Sequence, residues 1–377
     1  MQFKEYFENA IRIHLRSDVP VGSALSGGLD SSAIVCVLNR MLNREAVQKT
    51  FSSCSHYEKY DERKWMDIVV NHTAIEAHYY YPDIAHLFDM TSQILWHQDE
   101  PYQSHSAYLG YNIFRLAKEE EVKVLLNGQG ADEYLGGYGQ FNKAIFFELF
   151  KKLNWKLLYQ EVINTPSSNF YNTVSNIGYL LMPEEFRNII TRYFSSVSRI
   201  KNLIDIENLG ALNRHPYYSL SSDLANIQGI IKLNLFHNPL TKYLRWEDRN
   251  SMAHSIEARV PFLDHRLVEF AFNLPAEYLV SKGVTKRIMR NGLQNILPPQ
   301  IANRRDKKGF ITPEEHWIKN GQSNFFRKKL HHAIKSSEGI IKSEALNYYD
   351  NIVKGDMPFD YTYYRLILFS EWLSYLL

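Results

Sequence analysis

The chain has 377 residues, 45% hydrophobic and 22% charged, with a formal net charge of +2. This is the composition of an ordinary globular protein. A charge so close to zero argues against a protein that grips nucleic acid by bulk electrostatics. Its two cysteines, Cys36 and Cys54, lie in apolar segments and point to reduced core thiols, with a cytoplasmic location as the default.

At the start, Phe3 to Arg16 is charged and amphipathic, which is no secretory signal. The first strand is expected at "PVGSAL" (Pro20–Leu25), followed by a buried helix over Ser31–Asn43. "AVQKTFSSC" (Ala46–Cys54) is a second strand, with a helix around Glu62–His72. "AIEAHYYY" (Ala74–Tyr81) is a third, with helices over Ala85–Trp96 and Tyr108–Glu119. "VKVLLNG" (Val122–Gly128) is a fourth. Such alternation predicts an α/β fold: a parallel twisted sheet with helices on both faces. From about Phe141 the strand signals fade, so a large helical C-terminal part is expected. The organisation read from this is a sheet-bearing core over 1–140, a helical addition over 141–236 and a helical remainder over 237–377. The tail "YYRLILFSEWLSYLL" carries Arg365 and Glu371 and is too short to span a bilayer, so it reads as a helix packed on the body and no membrane partner is expected.

Ligands of parallel sheets bind beyond the carboxyl ends of the strands. Two glycine-rich motifs fall there, "SGGLDSS" (Ser26–Ser32) and "NGQGADEYLGGY" (Asn127–Tyr138). The first suits a polyanion, with free N–H groups at a helix start, glycines for close approach and hydroxyls as donors. It lacks the Gly-Lys-Ser/Thr ending of a Walker loop, which fits a pyrophosphate that leaves intact. The alternative is a plain strand–turn–helix connection with Asp30 and Ser31 as caps. Asp30 beside a phosphate is costly: two unit charges ~4 Å apart repel by about 4 kcal/mol at an effective dielectric near 20. A divalent cation between them removes the conflict, and Mg²⁺ commonly joins one or two carboxylates to phosphate oxygens. Asp132, in "GQGADE", supplies a second carboxylate at a neighbouring strand end.

Together, "RSDVPVGSALSGGLDSSAIV", "YDERKW", "DEP", "NGQGADEYLGGY", "SIEARVPFLDHRLVEF" and "RRDKKGF" resemble, in order, the synthetase domain of glutamine-dependent asparagine synthetases. These are a branch of the PP-loop ATP pyrophosphatases, of the adenine nucleotide α-hydrolase-like fold, that also includes β-lactam synthetases. The likeness covers nearly the whole chain and is weakest between about Phe141 and Phe236. It implies ATP and Mg²⁺ as cofactors, adenylation of a carboxylate with release of pyrophosphate, and attack by ammonia. By this resemblance Ser26, Gly27, Gly28, Asp30, Ser31 and Ser32 hold the pyrophosphate, and Asp30 and Asp132 bind the metal. Leu25, Ser52, Ser53, Asn127 and Gly128 occupy the places of an adenosine pocket; for any single one, strand-end packing explains it equally well.

Lys307 matches the family's catalytic lysine, whose ammonium would balance the oxyanion and the departing phosphate. Lys308 is adjacent, and a solvated basic loop is the alternative. Lys286 and Arg290 form a second basic pair that either touches phosphate or lies on the surface. Asp248 matches a family acid near the substrate; its alternative is a helix salt bridge to Lys242 or Arg245. Ala258 and Val260 resemble positions along the ammonia route, or are core. Asp99 and Glu100 cap a helix or approach substrate, and His97 and His105 flank them without metal-ligand spacing.

Two features depart from the family pattern. The synthetase pattern starts almost at once after Gln2, where the family's glutaminase domain opens on a nucleophilic cysteine. No glutaminase domain and no glutamine hydrolysis are therefore expected in this chain, and a separate glutaminase domain or subunit is a candidate partner. Many relatives also have an acid where Gln129 stands, and an amide cannot act as a base; the change implies slower adenylation, another acid such as Glu133 taking over, or a different substrate. The expectation is an ATP-dependent ligase that amidates aspartate with ammonia to give asparagine. The rivals are amidation of another carboxylate such as a uronic acid, lactam closure, and a nucleotide-binding subunit without catalysis. Oligomeric state stays open, a homodimer included.

Overall fold

The computed structural model describes residues 2–42, 48–166, 168–194, 200, 202–205, 207, 224–306 and 312–375. After helix α1 (Gln2–His14), strand β1 (Val21–Ala24) and helix α2 (Leu29–Met41) flank the "SGGLDSS" turn. Strand β2 (Lys49–Ser53), helix α3 (Arg63–Thr73) and strand β3 (Glu76–Tyr80) follow. Helices α4 (Ile84–Asp89), α5 (Thr91–Gln98) and α6 (Ser106–Glu119) lead to strand β4 (Val124–Leu126) and the short helix α7 (Ala131–Tyr134). Much later comes strand β5 (Glu257–Arg259). The sheet order is β3-β2-β1-β4-β5, with every pair parallel. β1 is central: Ser23 pairs with Thr50 on one side and Leu126 on the other.

Period-two alternation along β4 shows why helices cover both faces. Val124 and Leu126 enter the core built by α1, α2 and α3. Leu125 between them joins Phe51 and the α6 residues Ile113 and Phe114 on the opposite face. α2 is enclosed on nearly every side, with Ser31 through Leu38 all buried, as its apolar run predicts. Phe3, Phe7 and Ile11 of α1 repeat every four residues and seat that helix in the same core.

A second core is aromatic. Tyr102, Tyr108, Tyr111, Tyr349, Tyr363 and Tyr364 gather with Trp246, Trp317 and Phe326. The tail helix Thr362–Leu373 packs here against α5 and the helix Ser323–Ser336, as expected of a terminal helix. Helices Gly139–Lys151, Trp155–Asn164 and Phe170–Leu181 share only a small cluster of Phe146, Phe147, Leu158 and Ile177. Among the described residues, no helix is long and apolar enough to cross a membrane. Cys36 and Cys54 are free and buried, and burial pushes both thiols up to about 12.

The four N-terminal strands lie within the segments expected for them. Two elements differ from expectation. The helix expected over Ala85–Trp96 is broken at Met90, which caps α4 and opens α5 with φ −93° and ψ −8°. β5 falls in a region expected to be helical: it is three residues long, and Glu257–Ala258–Arg259 has no apolar alternation to announce it.

Candidate active site

The turn between β1 and α2 is shaped for an anion. Gly27 has φ +71°, and a Cβ there would lie 2.7 Å from Trp65 Cβ, so only glycine fits. Gly28 is the N-cap of α2 and gives no side-chain cap, so the first N–H groups of the helix stay open. Ser26 and Ser31 brace the turn: Ser31 Oγ accepts from Ser26 N–H at 3.1 Å and shares a hydrogen bond with Ser26 Oγ at 3.0 Å. Ser32 Oγ is buried with no hydrogen-bond partner among the described residues.

Asp30 is not a helix cap. It lies in the first turn of α2, and both its oxygens accept from the Lys286 ammonium, at 2.6 and 2.5 Å. The same ammonium meets Asp132 Oδ1 at 2.6 Å. The two carboxylates picked from separate motifs therefore converge on one point. Lys286 is 4% exposed, so its surface alternative is excluded. Burial lowers its pKa, but the charges of Asp132 and Asp30 outweigh burial and leave it raised. Its φ of +53° is uncommon for a residue with a side chain, a local strain of the kind met at functional sites. Arg290 stands behind it, donating to the carbonyls of Thr285 and Ala302 at 2.8 and 2.6 Å.

Neighbouring motifs hold this pair in place. A Cβ at Gly137 would overlap the Asp132 carboxylate, and one at Gly128 would lie 3.0 Å from Asp30 Cβ. Tyr134 of α7 donates to the Phe262 carbonyl at 2.7 Å, tying the acid-bearing loop to the turn after β5. Arg304, the first arginine of "RRDKKGF", donates to the Gly27 carbonyl at 2.9 Å and pairs with Glu62. Its guanidinium lies 4.6 Å from the Trp65 ring centroid. "YDERKW", "SGGLDSS" and "RRDKKGF" thus meet at one arginine.

The other expected residues are distributed as follows. Leu25 and Ser52 are buried at the strand ends, where Ser52 Oγ donates to the Leu25 carbonyl at 2.6 Å; Ser53 is half-buried beside them. Asn127 closes β4 by donating its N–H to the Arg259 carbonyl at 2.9 Å. Lys307 and Lys308 lie outside the described residues. Glu133 is 1% exposed and accepts from the Tyr138 hydroxyl at 2.7 Å; burial raises its pKa, against the pull of that hydroxyl. Asp248 is exposed on the helix Leu240–Met252. The salt bridges expected of it go elsewhere: Arg245 pairs with Glu100, and Lys242 donates to Gln103. Asp99, with φ +58°, ends α5 and pairs with Arg249. His105 is buried and paired with Glu314, and His97 lies near Tyr111. Ala258 is in β5 and Val260 just beyond it.

One acid went unnoticed in the sequence. Glu247 accepts from the Asn127 side-chain amide and from Gln129. Loss of hydration, opposed by these two bonds, pushes its pKa up to about 7. A signal existed: Leu240, Tyr243, Glu247 and Asn250 recur at helical spacing on the inward stripe, where an acid is out of place.

The donor set fits a nucleotide and a hard cation. Two carboxylates from adjacent strand ends offer oxygen ligands of the kind Mg²⁺ takes. Beside them lie an uncapped helix start, two hydroxyls and the orphaned Ser32 Oγ.

Known proteins point the same way. Residues 2–350 match the family model described as asparagine synthase. The chain is 28% identical over 332 residues to "Asparagine synthetase [glutamine-hydrolyzing] 1" of Bacillus subtilis, covering 86% of this chain and 51% of that protein. It is 28% identical over 329 residues to a "Putative asparagine synthetase [glutamine-hydrolyzing]" of Mycobacterium tuberculosis, covering 84% and 48%. A shorter stretch of 184 residues is 33% identical to a "Putative asparagine synthetase [glutamine-hydrolyzing] 2" of Methanocaldococcus jannaschii, covering 49% and 35%. The chain thus spans about half the length, or less, of these relatives. With the family's motifs folded into one strand-end crevice and a match over most of its length, the chain belongs to the asparagine synthase family.

Proposed function

We propose that this chain performs ATP-dependent amidation of a carboxylate, with aspartate as the acid and ammonia as the nucleophile. The convergence of Asp30 and Asp132 on one buried point under an open helix start carries the proposal. A carboxylate resists attack by an amine until one of its oxygens becomes a good leaving group. Its oxygen would attack the α-phosphorus of ATP, and the bond to the β-phosphate would break with release of pyrophosphate. Ammonia would then displace AMP and leave the amide.

Each residue has a part in this. Ser26, Gly27, Gly28, Ser31 and Ser32 would hold the pyrophosphate with hydroxyls and open N–H groups. Asp30 and Asp132 would hold Mg²⁺, which when bound supplies positive charge between acids and phosphates. Leu25, Ser52, Ser53, Asn127 and Gly128 would border the adenosine. Lys307 is assigned the cation that balances the oxyanion and the departing phosphate. Glu133 and Asp248 are assigned to the acids around the substrate. Holding carboxylate and α-phosphate in line supplies much of the acceleration by proximity. A glutaminase domain or subunit is the proposed ammonia source, in keeping with the glutamine-hydrolyzing names of the relatives.

ATP–pyrophosphate exchange across a panel of carboxylic acids tests this. Exchange that depends on aspartate, with asparagine formed when ammonium is added, is the expected result. Exchange with a sugar acid in place of aspartate would move the substrate while keeping the chemistry. Asp30→Asn is expected to abolish exchange; near-normal exchange in that variant would remove the metal assignment.

A further inference from the structure

Gln129 stands in the strand-end crevice at a position from which an amide cannot accept a proton. The acid expected to take its place, Glu133, is engaged by the Tyr138 hydroxyl. The acid that does reach it comes from 118 residues further along the chain. Glu247 takes one hydrogen bond from Gln129 and another from the side chain of Asn127, the residue that closes β4. Among the described residues it is in no salt bridge: Arg245 and Arg249, its neighbours on the helix, pair with Glu100 and Asp99.

The orientation of the Leu240–Met252 helix puts this carboxyl against the β4–α7 loop that carries Asp132. Tyr243 and Glu247 are four residues apart and share one helix face. Tyr243 feels the charges of Glu133 and Asp132, so this face looks onto the β4–α7 loop. The loop lies close against Asp30, where a Cβ on Gly128 would come within 3.0 Å of Asp30 Cβ. Glu247 therefore meets the residues of the β4–α7 loop just before Asp132, the loop that also lies against Asp30. A carboxyl pushed up to about 7 by lost hydration is available near neutrality both to accept and to release a proton.

We propose that Glu247 is the base of the amide-forming half-reaction, taking the proton that ammonia sheds as it adds to the activated carbonyl. This rests on the adenylation proposed above. The nitrogen lone pair forms the new C–N bond, and the carbonyl π pair moves onto oxygen. One N–H proton passes to a Glu247 oxygen. The oxyanion then collapses, the C–O bond to AMP breaks, and AMP leaves with that electron pair. The protonated Glu247 gives its proton to water before the next turnover. Gln129 and Asn127 aim the carboxylate, and Gln129 thereby takes part in the reaction without being the acid.

The test compares two half-reactions in the same protein. ATP–pyrophosphate exchange with aspartate reads adenylation, and asparagine formed from added ammonium chloride reads the second step. Glu247→Gln is expected to lower the ratio of amide formed to pyrophosphate exchanged by about 100-fold or more, the usual share of a general base. A merely structural role would depress both readouts together and leave the ratio alone. The exchanged pair Gln129→Glu with Glu247→Gln keeps the same set of hydrogen-bonding atoms in the corner and returns an acid to it. It is expected to recover at least about tenfold of the lost ratio. A ratio in Glu247→Gln equal to that of the parent overturns the assignment, as does an exchanged pair that folds and exchanges pyrophosphate but recovers nothing. Absence of aspartate-dependent exchange in the parent chain instead overturns the adenylation, and the base falls with it.

Discussion

Two groups of acids border one crevice in opposite company. Asp30 and Asp132 are clamped on the Lys286 ammonium at 2.5–2.6 Å, so each negative charge has a positive partner. Glu247 has two amides instead, and its pKa rises to about 7. A carboxylate beside a fixed cation keeps its charge; one among neutral dipoles in a dry corner gives it up near neutrality. The first environment suits groups that must stay anionic to receive a cation and a polyphosphate. The second suits a group that must change protonation during the reaction. The fold separates the two by drawing the first pair from α2 and α7 and the second acid from a helix far along the chain.

The largest effect should come from breaking the clamp. Lys286→Met removes the buried ammonium on which both half-buried carboxylates converge. Removing one partner of a buried ion pair costs about 3–5 kcal/mol. Thermal unfolding of the variant should show that loss, and millimolar Mg²⁺ should recover part of it by sitting between the acids, while changing the parent much less. A variant as stable as the parent, or one indifferent to Mg²⁺, would mean that the two acids are not electrostatically coupled through this point.

How much of this was legible in the sequence differs between the two groups. Asp30 and Asp132 stand in glycine-rich turns at strand ends, where local chemistry marks them: a fixed charge in an anion loop demands a counterpart. Their convergence followed from strand alternation, and the four N-terminal strands fell where expected. What the sequence concealed was reached through long-range pairing. β5 is three residues without alternation and exists because Leu125 and Ala258 pair across the sheet. Lys286 reads as one more basic residue on a short helix, and only the fold brings it to Asp30. Glu247 was overshadowed by Asp248, its neighbour in the resemblance, although the inward stripe of Leu240, Tyr243 and Asn250 distinguishes the two by burial.

A smaller effect separates the groups by pH. In the folded chain burial pushes the Glu247 carboxyl up to about 7, well above the usual carboxylate range, so between the two the folded state binds more protons than the unfolded one. Its contribution to stability is therefore greatest below the unfolded value and falls as pH rises towards about 7. Glu247→Gln removes that fall. Urea unfolding across this range should show the parent losing on the order of 2 kcal/mol relative to the variant. Parallel stability curves would mean that Glu247 is ionised throughout, and its corner would then be no different in kind from the Asp30 site.

The smallest effect concerns Glu133, which stands between the two cases: burial raises it as for Glu247, but the charges of Asp132 and Lys286 also reach it. It is buried, and its hydrogen bond from Tyr138 favours the charged form without overcoming burial. Tyr138→Phe deletes that bond and should cost about 1 kcal/mol. The sign of its pH dependence is the informative part. The lost donor raises the Glu133 pKa further, so the folded variant holds its proton over a wider range than the folded parent. The cost should then be least at the acid end, where Glu133 is protonated, and should grow as pH rises and the carboxyl ionises. Urea unfolding at a mildly acidic and a mildly alkaline pH measures it. A cost that is flat across the two would show that burial does not make an acid of this loop titrate, and would leave the Glu247 corner as a property of its amide pair.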